Sequence, residues 1–482
     1  MSAQKQFAEL AAQIVDEALR RDPVGATWMG DHRFDSDLPD HSEAADRDQV
    51  HVIDDYLTRL DAIDDVELPI DDLVDLEILR SRLMRSRFEL EELRSAEWNP
   101  LVWNPGTALH LLASREFASR DERAHSMVGR VEAIPDFLAD GRHRLRDMPA
   151  IHAETAIAQL NGTVGLIDGP ARDLVGDHPC LAPARKAVEE FAAWLGEQPA
   201  HRDPRLGQRD YSAALWHALD DDISAQDVLS DAEHHLDRVS EFMQEAAASY
   251  LQMSSAGQDD VRQALDEIAR RNVVTDQTVL QIVDEAVTRT AAFVRDHSIV
   301  SLPDVEVRVI EMPEIHRGVA VAYCDAPGPL ETAAVPTFVA VSPTPHGWSD
   351  ERIESFYREY NAVQLHDLTI HEAMPGHVLQ LAYARSSPPA STVRKLGMSG
   401  VFVEGWAVYA EELMFERGYA PDDSSASRWA LRLQQLKMQA QGPSIADDLR
   451  VMHSGWDDAA IHGLMLEHGS PPPRHLRTLI GL

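Results

Sequence analysis

Cysteine is nearly missing from this chain: Cys180 and Cys324 are the two in 482 residues, far apart in sequence. That excludes a disulfide framework and a zinc site built on paired CxxC motifs, and it favours a reducing interior. Long apolar runs are missing as well, since no stretch approaches the roughly 18 residues of a membrane span. The start, Met1-Ser2-Ala3-Gln4-Lys5-Gln6-Phe7, shows no basic region followed by an apolar core, as a secretory signal would require. A soluble, cytoplasmic protein is the expectation. Basic residues are scarce, 44 against 81 acidic, for a formal charge of -37. Such a surface repels nucleic acid and anionic membranes, which are therefore not expected as partners. It suits a salty habitat as well as it suits cationic substrates, so the charge names no substrate. Two common catalytic signals are also absent. Gly397-Met398-Ser399-Gly400 has neither the spacing nor the lysine of a phosphate-binding loop. No Gly-x-Ser-x-Gly elbow announces a serine hydrolase.

What remains is a helical pattern that fills most of the chain. Over 225–247 the apolar residues Leu229, Ala232, Leu236, Val239, Met243 and Ala246 step by three and four, predicting one buried helical stripe. Residues 69–97 and 274–297 read the same way, and Asn99-Pro100, Asn104-Pro105-Gly106 and Asp203-Pro204 break the helices between them. The texture changes at about 301. Residues 305–310, 318–323 and 337–341 read as short strands separated by proline-rich turns, and helix resumes at Ser349 or Asp350. The chain divides on this pattern into a helical region, 1–300, and a region 301–482 holding a small sheet and the helices after it. The two are expected to form one continuous cleft. An edge strand in such a sheet could hold an extended peptide.

The chemistry concentrates in His371-Glu372-Ala373-Met374-Pro375-Gly376-His377 and in Glu404, 27 residues after His377. Two imidazoles and a carboxylate are the ligand set of a catalytic zinc that keeps one position open. Glu372 stands where a general base for the metal-bound water is needed. The usual zincin spacing is four residues, one helical face; here it is six. Six helical residues turn about 600°, a net of about 240°, which puts the two rings on different faces. Pro375-Gly376 is expected to resolve this by a bulge or an unwound turn that brings His377 back beside His371. The competing readings are surface histidines, or a helix end with histidine in its last turn. Glu404 opens a second helical pattern; its competing reading is an N-terminal helix charge favoured by the macrodipole.

At these residues the sequence resembles a known family. The matching segments are Arg358-Glu359-Tyr360-Asn361, Leu368 to His377, and Glu404-Gly405-Trp406-Ala407-Val408-Tyr409-Ala410-Glu411. Further matches are Asp22-Pro23, Ala26-Thr27, Gly30, Pro327-Gly328-Pro329 and His468 to Pro473. Together they are similar to the bacterial domain of unknown function 885 family, in the gluzincin-like peptidase clan. The resemblance spans nearly the whole chain. It implies a mainly α, zincin-like fold, with His371, His377 and Glu404 on zinc and Glu372 as base. Peptide as substrate comes from the clan, an argument by analogy. One departure stands out. After Arg450, His453, Gly455 and Trp456, family members continue through a further helical segment, whereas here Asp457-Asp458-Ala459-Ala460 runs almost directly into the tail. That looks like an internal deletion.

The expected function is zinc-dependent hydrolysis of peptide bonds. The alternatives are a catalytically silent relative that keeps the fold, and a zinc amidase or esterase acting on a small acyl substrate. Tyr360, Tyr409, Arg450 and His453 are candidate oxyanion donors. Their plainer readings are core aromatics for the tyrosines, a surface or paired charge for Arg450 and a helix-end cation for His453. Asp367, four before His371, and Glu411, seven after Glu404, are candidates to orient a ligating imidazole. Asp367 reads equally as a solvated charge. His366 reads as structural or exposed, and His234-His235 as helix surface. Side-chain preference, exo- or endopeptidase mode and oligomeric state are not written in the sequence.

Overall fold

The computed structural model describes residues 2–313, 321–344, 347–386 and 391–452, with 441–452 as helical backbone. Nine helices lead: α1 (Ala3–Arg21), α2 (Pro23–Met29), α3 (Glu43–Asp61), α4 (Ile70–Phe88), α5 (Gly106–Ser114), α6 (Arg120–Arg144), α7 (Ala150–Leu166), α8 (Arg172–Val175) and α9 (Leu181–Glu197). There follow α10 (Gly207–Leu219), α11 (Ala225–Leu251), α12 (Gln258–Arg271) and α13 (Val279–Asp296). Three strands come next, β1 (Val307–Glu311), β2 (Ala322–Asp325) and β3 (Thr337–Val341). The chain then returns to helix in α14 (Asp350–Glu359), α15 (Ala362–Glu372), α16 (His377–Ser386), α17 (Thr392–Leu396), α18 (Gly400–Glu416) and α19 (Ser425–Met452). The protein is mainly α with one small sheet.

The predicted stripe of 225–247 is buried or half-buried along α11. Ser349 caps α14 by accepting from Arg352 N–H. Of the expected strand 318–323, residues 318–320 lie outside the described residues, and the strand observed is 322–325.

Strand order is β1-β3-β2, with β1 parallel and β2 antiparallel to β3. The middle strand carries Val339, Ala340 and Val341, all buried, as a strand covered on both faces must. The edge strands β1 and β2 are more exposed.

Two compact units result, and their boundary does not follow the change of texture at 301. One comprises residues 1–206 with 327–335 and 387–398; the other comprises 207–326, 336–386 and 399–482. The strand connection 327–335 counts with the first unit because it packs on the N-terminal helices. Gly30 has φ +88°, and a Cβ there would lie 2.3 Å from the Glu331 backbone nitrogen. His32 bridges Asp35 and Glu331 through its two ring nitrogens, at 2.9 and 3.0 Å, and stacks on Phe117. Arg130, fully buried, donates to Ala108 O, Pro23 O and Thr27 Oγ1, and Thr27 donates to Asp35. The matching residues near the chain start thus serve a structural joint. The core of this unit gathers Trp103, Leu109, Met127, Ile134 and Phe191.

In the second unit a core of Val283, Leu365, Met374, Val378, Trp406 and Tyr409 joins α13, α15, α16 and α18 to the sheet. α15 and α18 both carry site residues, and α19 packs against both.

Candidate metal centre

α15 is fixed at its start by Asn361, whose buried side chain accepts from the N–H groups of Val363 and Gln364 at 3.1 and 3.3 Å. The helix ends at Glu372, and a new helix begins at His377. Between them Ala373–Gly376 form a turn, where Pro375 has no N–H to continue the ladder. His371 therefore closes one helix and His377 opens the next. This is how a spacing of six brings two imidazoles together, with ring centroids 4.7 Å apart and planes at 84°.

Gly376 is required by close approach. A Cβ there would meet His371 O at 1.8 Å and Ile370 O at 2.4 Å. From the facing helix, Trp406 Nε1 donates to Pro375 O at 2.8 Å and ties the turn to α18. Sequence reasoning passed over Trp406 as an apolar residue of the second helix. Its indole N–H, next to a carboxylate motif, was the available signal.

α18 is capped by Ser399, which accepts from Phe402 N–H, and it presents Glu404 to both rings. Glu404 Oε2 lies 3.4 Å from His371 Nε2 and 3.7 Å from His377 Nε2. One ligand atom from each of the three residues falls within 4.8 Å of the others. Ligands of a tetrahedral zinc at about 2.0–2.1 Å stand about 3.4 Å apart. The donor set fits a zinc ion in type and in spacing. His234 and His235 take no part in it.

His371 Nδ1 is 2.8 Å from Glu411 Oε1, two helical turns along α18 from Glu404. A carboxylate on the second ring nitrogen fixes the tautomer that leaves Nε2 for a metal. Glu411→Ala is expected to weaken zinc binding by about 10- to 100-fold. Competition against a fluorescent chelator measures it, and an unchanged affinity would remove Glu411 from the site. His377 Nδ1 is buried with no hydrogen-bond partner among the described residues.

Burial opposes the charged form of His371, but Glu404 and Glu411 outweigh it and raise its pKa well above the ordinary value. Burial, with the charge of His371, pushes His377 down to about 4. Burial also works to raise Glu404, yet the hydrogen bond from His371 and the charges of both histidines hold its carboxyl below the usual range. Of the three donors, His371 is thus the one its surroundings most favour in the protonated form.

Glu372 is 8 % exposed. Burial raises its pKa; His371 pulls it down, and Glu404 pushes it up. Its carboxylate accepts from the Cys324 backbone N–H. Ser342 N–H donates to Val321 O at 2.8 Å, so in the antiparallel register the backbone groups of Ala322 and Cys324 face away from β3. The edge of the sheet thus meets the carboxylate of Glu372.

The remaining candidates are dispersed. Tyr360 ends α14 and packs its ring on Phe356 at 4.9 Å. Tyr409 is buried in the core against Trp406. Asp367 is buried rather than solvated, one turn before His371. His366 hydrogen-bonds Tyr419 at 2.9 Å and is structural. The Arg450 side chain, His453 and the segment after Asp458 lie outside the described residues. Sequence reasoning also missed Gln364 and Gln435, both buried behind the site.

Comparison with known proteins agrees on the fold. A solved structure described as "a putative lipoprotein of unknown function from Shewanella oneidensis" superposes with a TM-score of 0.68 at 23% identity, covering 99% of this chain and 100% of its own. Another, described as "the putative lipoprotein from Colwellia psychrerythraea", gives 0.71 at 16% identity, covering 100% of this chain and 88% of its own. No curated protein sequence matches. Residues 23–442 match the family described as "Bacterial protein of unknown function (DUF885)", and the chain is a member of that family.

Proposed function

We propose that this protein is a zinc-dependent hydrolase of peptide bonds, zincin-like in its site, with His371, His377 and Glu404 as ligands and Glu372 as general base. The observation that carries the reading is the convergence of the three donors within 4.8 Å with a buried carboxylate beside them. Zinc, when bound, supplies a Lewis acid for the carbonyl and a water acidified towards neutrality. Glu372 accepts a proton on its carboxylate and returns it to the leaving amine. Its raised pKa suits both steps, since a base poised nearer neutrality gives the proton back more readily. Glu411 orients the donor nitrogen of His371, and Glu404 and Glu411 hold negative charge near the ion.

Peptide is favoured over a small acyl substrate because Glu372 and the sheet edge adjoin at Cys324. An extended backbone laid beside a strand is a common mode of peptide recognition. The gluzincin-like clan points the same way, by analogy. The cytoplasm is the site of action this reading favours, on two cysteines that lie outside any disulfide.

The test is metal content after exhaustive dialysis. Wild type is expected to hold about one zinc per chain, and His371→Ala to hold none. Absence of zinc from wild type after supplementation would sink the proposal. Zinc without turnover in any peptide library would instead favour a catalytically silent relative that keeps the fold. Cleavage of small amides or esters alone would favour the amidase.

A further inference from the structure

One helical turn before His371, α15 buries Asp367 at 2 % exposure, beside Gln364 at 1 % and Gln435 of α19 at 0 %. Gln364 Nε2 donates to Asp367 Oδ2 at 3.4 Å, and the Gln435 amide is close enough to favour the Asp367 carboxylate. Gln435 Nε2 donates to the Glu411 backbone carbonyl at 3.0 Å, so α15, α18 and α19 meet in one polar layer. Glu411 is the residue that holds His371.

The layer has too few donors. Asp367 Oδ1, Gln364 Oε1 and Gln435 Oε1 are all buried and accept from nothing among the described residues. A buried acceptor left unmatched destabilises the fold. The other deeply buried aspartates, Asp35 and Asp75, have His32 and Arg394 as partners. The cations of α19 nearest in sequence are engaged elsewhere, Arg432 with Glu412 and Lys437 with Glu359. From α18 the charge facing Asp367 is that of Glu411, of the same sign, and from α15 itself that of His371, of opposite sign.

We infer that Asp367 stands in the folded protein as a neutral carboxylic acid, its O–H supplying the missing donor to a glutamine carbonyl, and that it is a positioning residue for Glu411 and hence for His371. One proton converts an orphaned acceptor into a donor and satisfies a second acceptor as well. It also keeps a second negative charge out of the space behind the ligand. Burial, the largest influence, favours the protonated form and the Glu411 charge acts with it; together they outweigh the charge of His371 and the glutamine amides, which favour the carboxylate. The positioning half of the inference rests on the metal-centre reading; the protonation state does not.

Two measurements on the full chain separate these. Infrared spectra of protein labelled with 13C at the aspartate carboxyl should show, at pH 7, a label-sensitive carboxylic acid C=O band that disappears in Asp367→Asn. Zinc affinity should stay within about twofold of wild type in Asp367→Asn, whose amide supplies the same donor, and fall about tenfold in Asp367→Ala. The absence of the band in wild type, or Asn and Ala variants equally impaired in zinc binding, overturns the inference. If Asp367→Asn does not fold, the wild-type spectrum still decides, because the other deeply buried aspartates, Asp35 and Asp75, are bound by His32 and Arg394. If wild type binds no zinc, the metal-centre reading falls while the band continues to report on Asp367.

Discussion

Gly376→Ala is expected to strip the protein of its zinc although it removes no donor side chain. The added methyl would sit 1.8 Å from His371 O and 2.4 Å from Ile370 O, both backbone atoms with no side-chain freedom to yield. The turn must open, and His371 and His377 sit at its two ends. Overpacking of this kind typically costs about 1–3 kcal/mol and occasionally more. Here the distortion falls on a donor set whose members need to hold within about 0.5 Å. The expected result is well under one zinc per chain after dialysis, with melting followed by circular dichroism to separate local from global loss. A variant that keeps full zinc and a wild-type melt would show that the turn does not set the ligand spacing.

Glu372→Gln should have the opposite profile. The amide is nearly isosteric and can still lie beside Cys324, but it takes up no proton. Turnover should fall by about 10²–10⁴-fold, the usual contribution of a positioned general base, while zinc stays at about one per chain. A quenched-fluorescent peptide library beside elemental analysis reads both quantities on one preparation. Wild-type turnover in this variant would remove Glu372 from the chemistry. Zinc lost together with activity would make it a structural carboxylate.

Several of these features were legible in the sequence for physical reasons. Residue type restricts which side chains can share a metal, so the clustering of His371, His377 and Glu404 could be expected without coordinates, and a spacing of six required a break at Pro375-Gly376. The break is a full interruption between two helices. The helical stripe of α11 and the strand 337–341 were readable because burial of one face, or of both, leaves a period. The polar layer behind His371 was not readable. Gln364 and Asp367 carry no apolar signal, and polar residues on a helix are by default assigned to solvent. Gln435 had a weak signal: it falls four residues after Leu431 and one before Leu436, on what should be an apolar face. The two compact units were not legible either. A return of 327–335 to the N-terminal helices is a long-range contact, and no local pattern encodes it.

The ion triad of Asp35, His32 and Glu331 joins residues separated by 299 positions. A ribosome adding about 5–20 residues per second needs roughly 15–60 s to span that interval. For that time the nascent N-terminal helices have neither Glu331 for His32 nor the strand connection that covers Gly30. The first-made part of the protein is thus completed by one of its later parts, and biosynthesis leaves it as a client for chaperones until the connection after β2 has emerged.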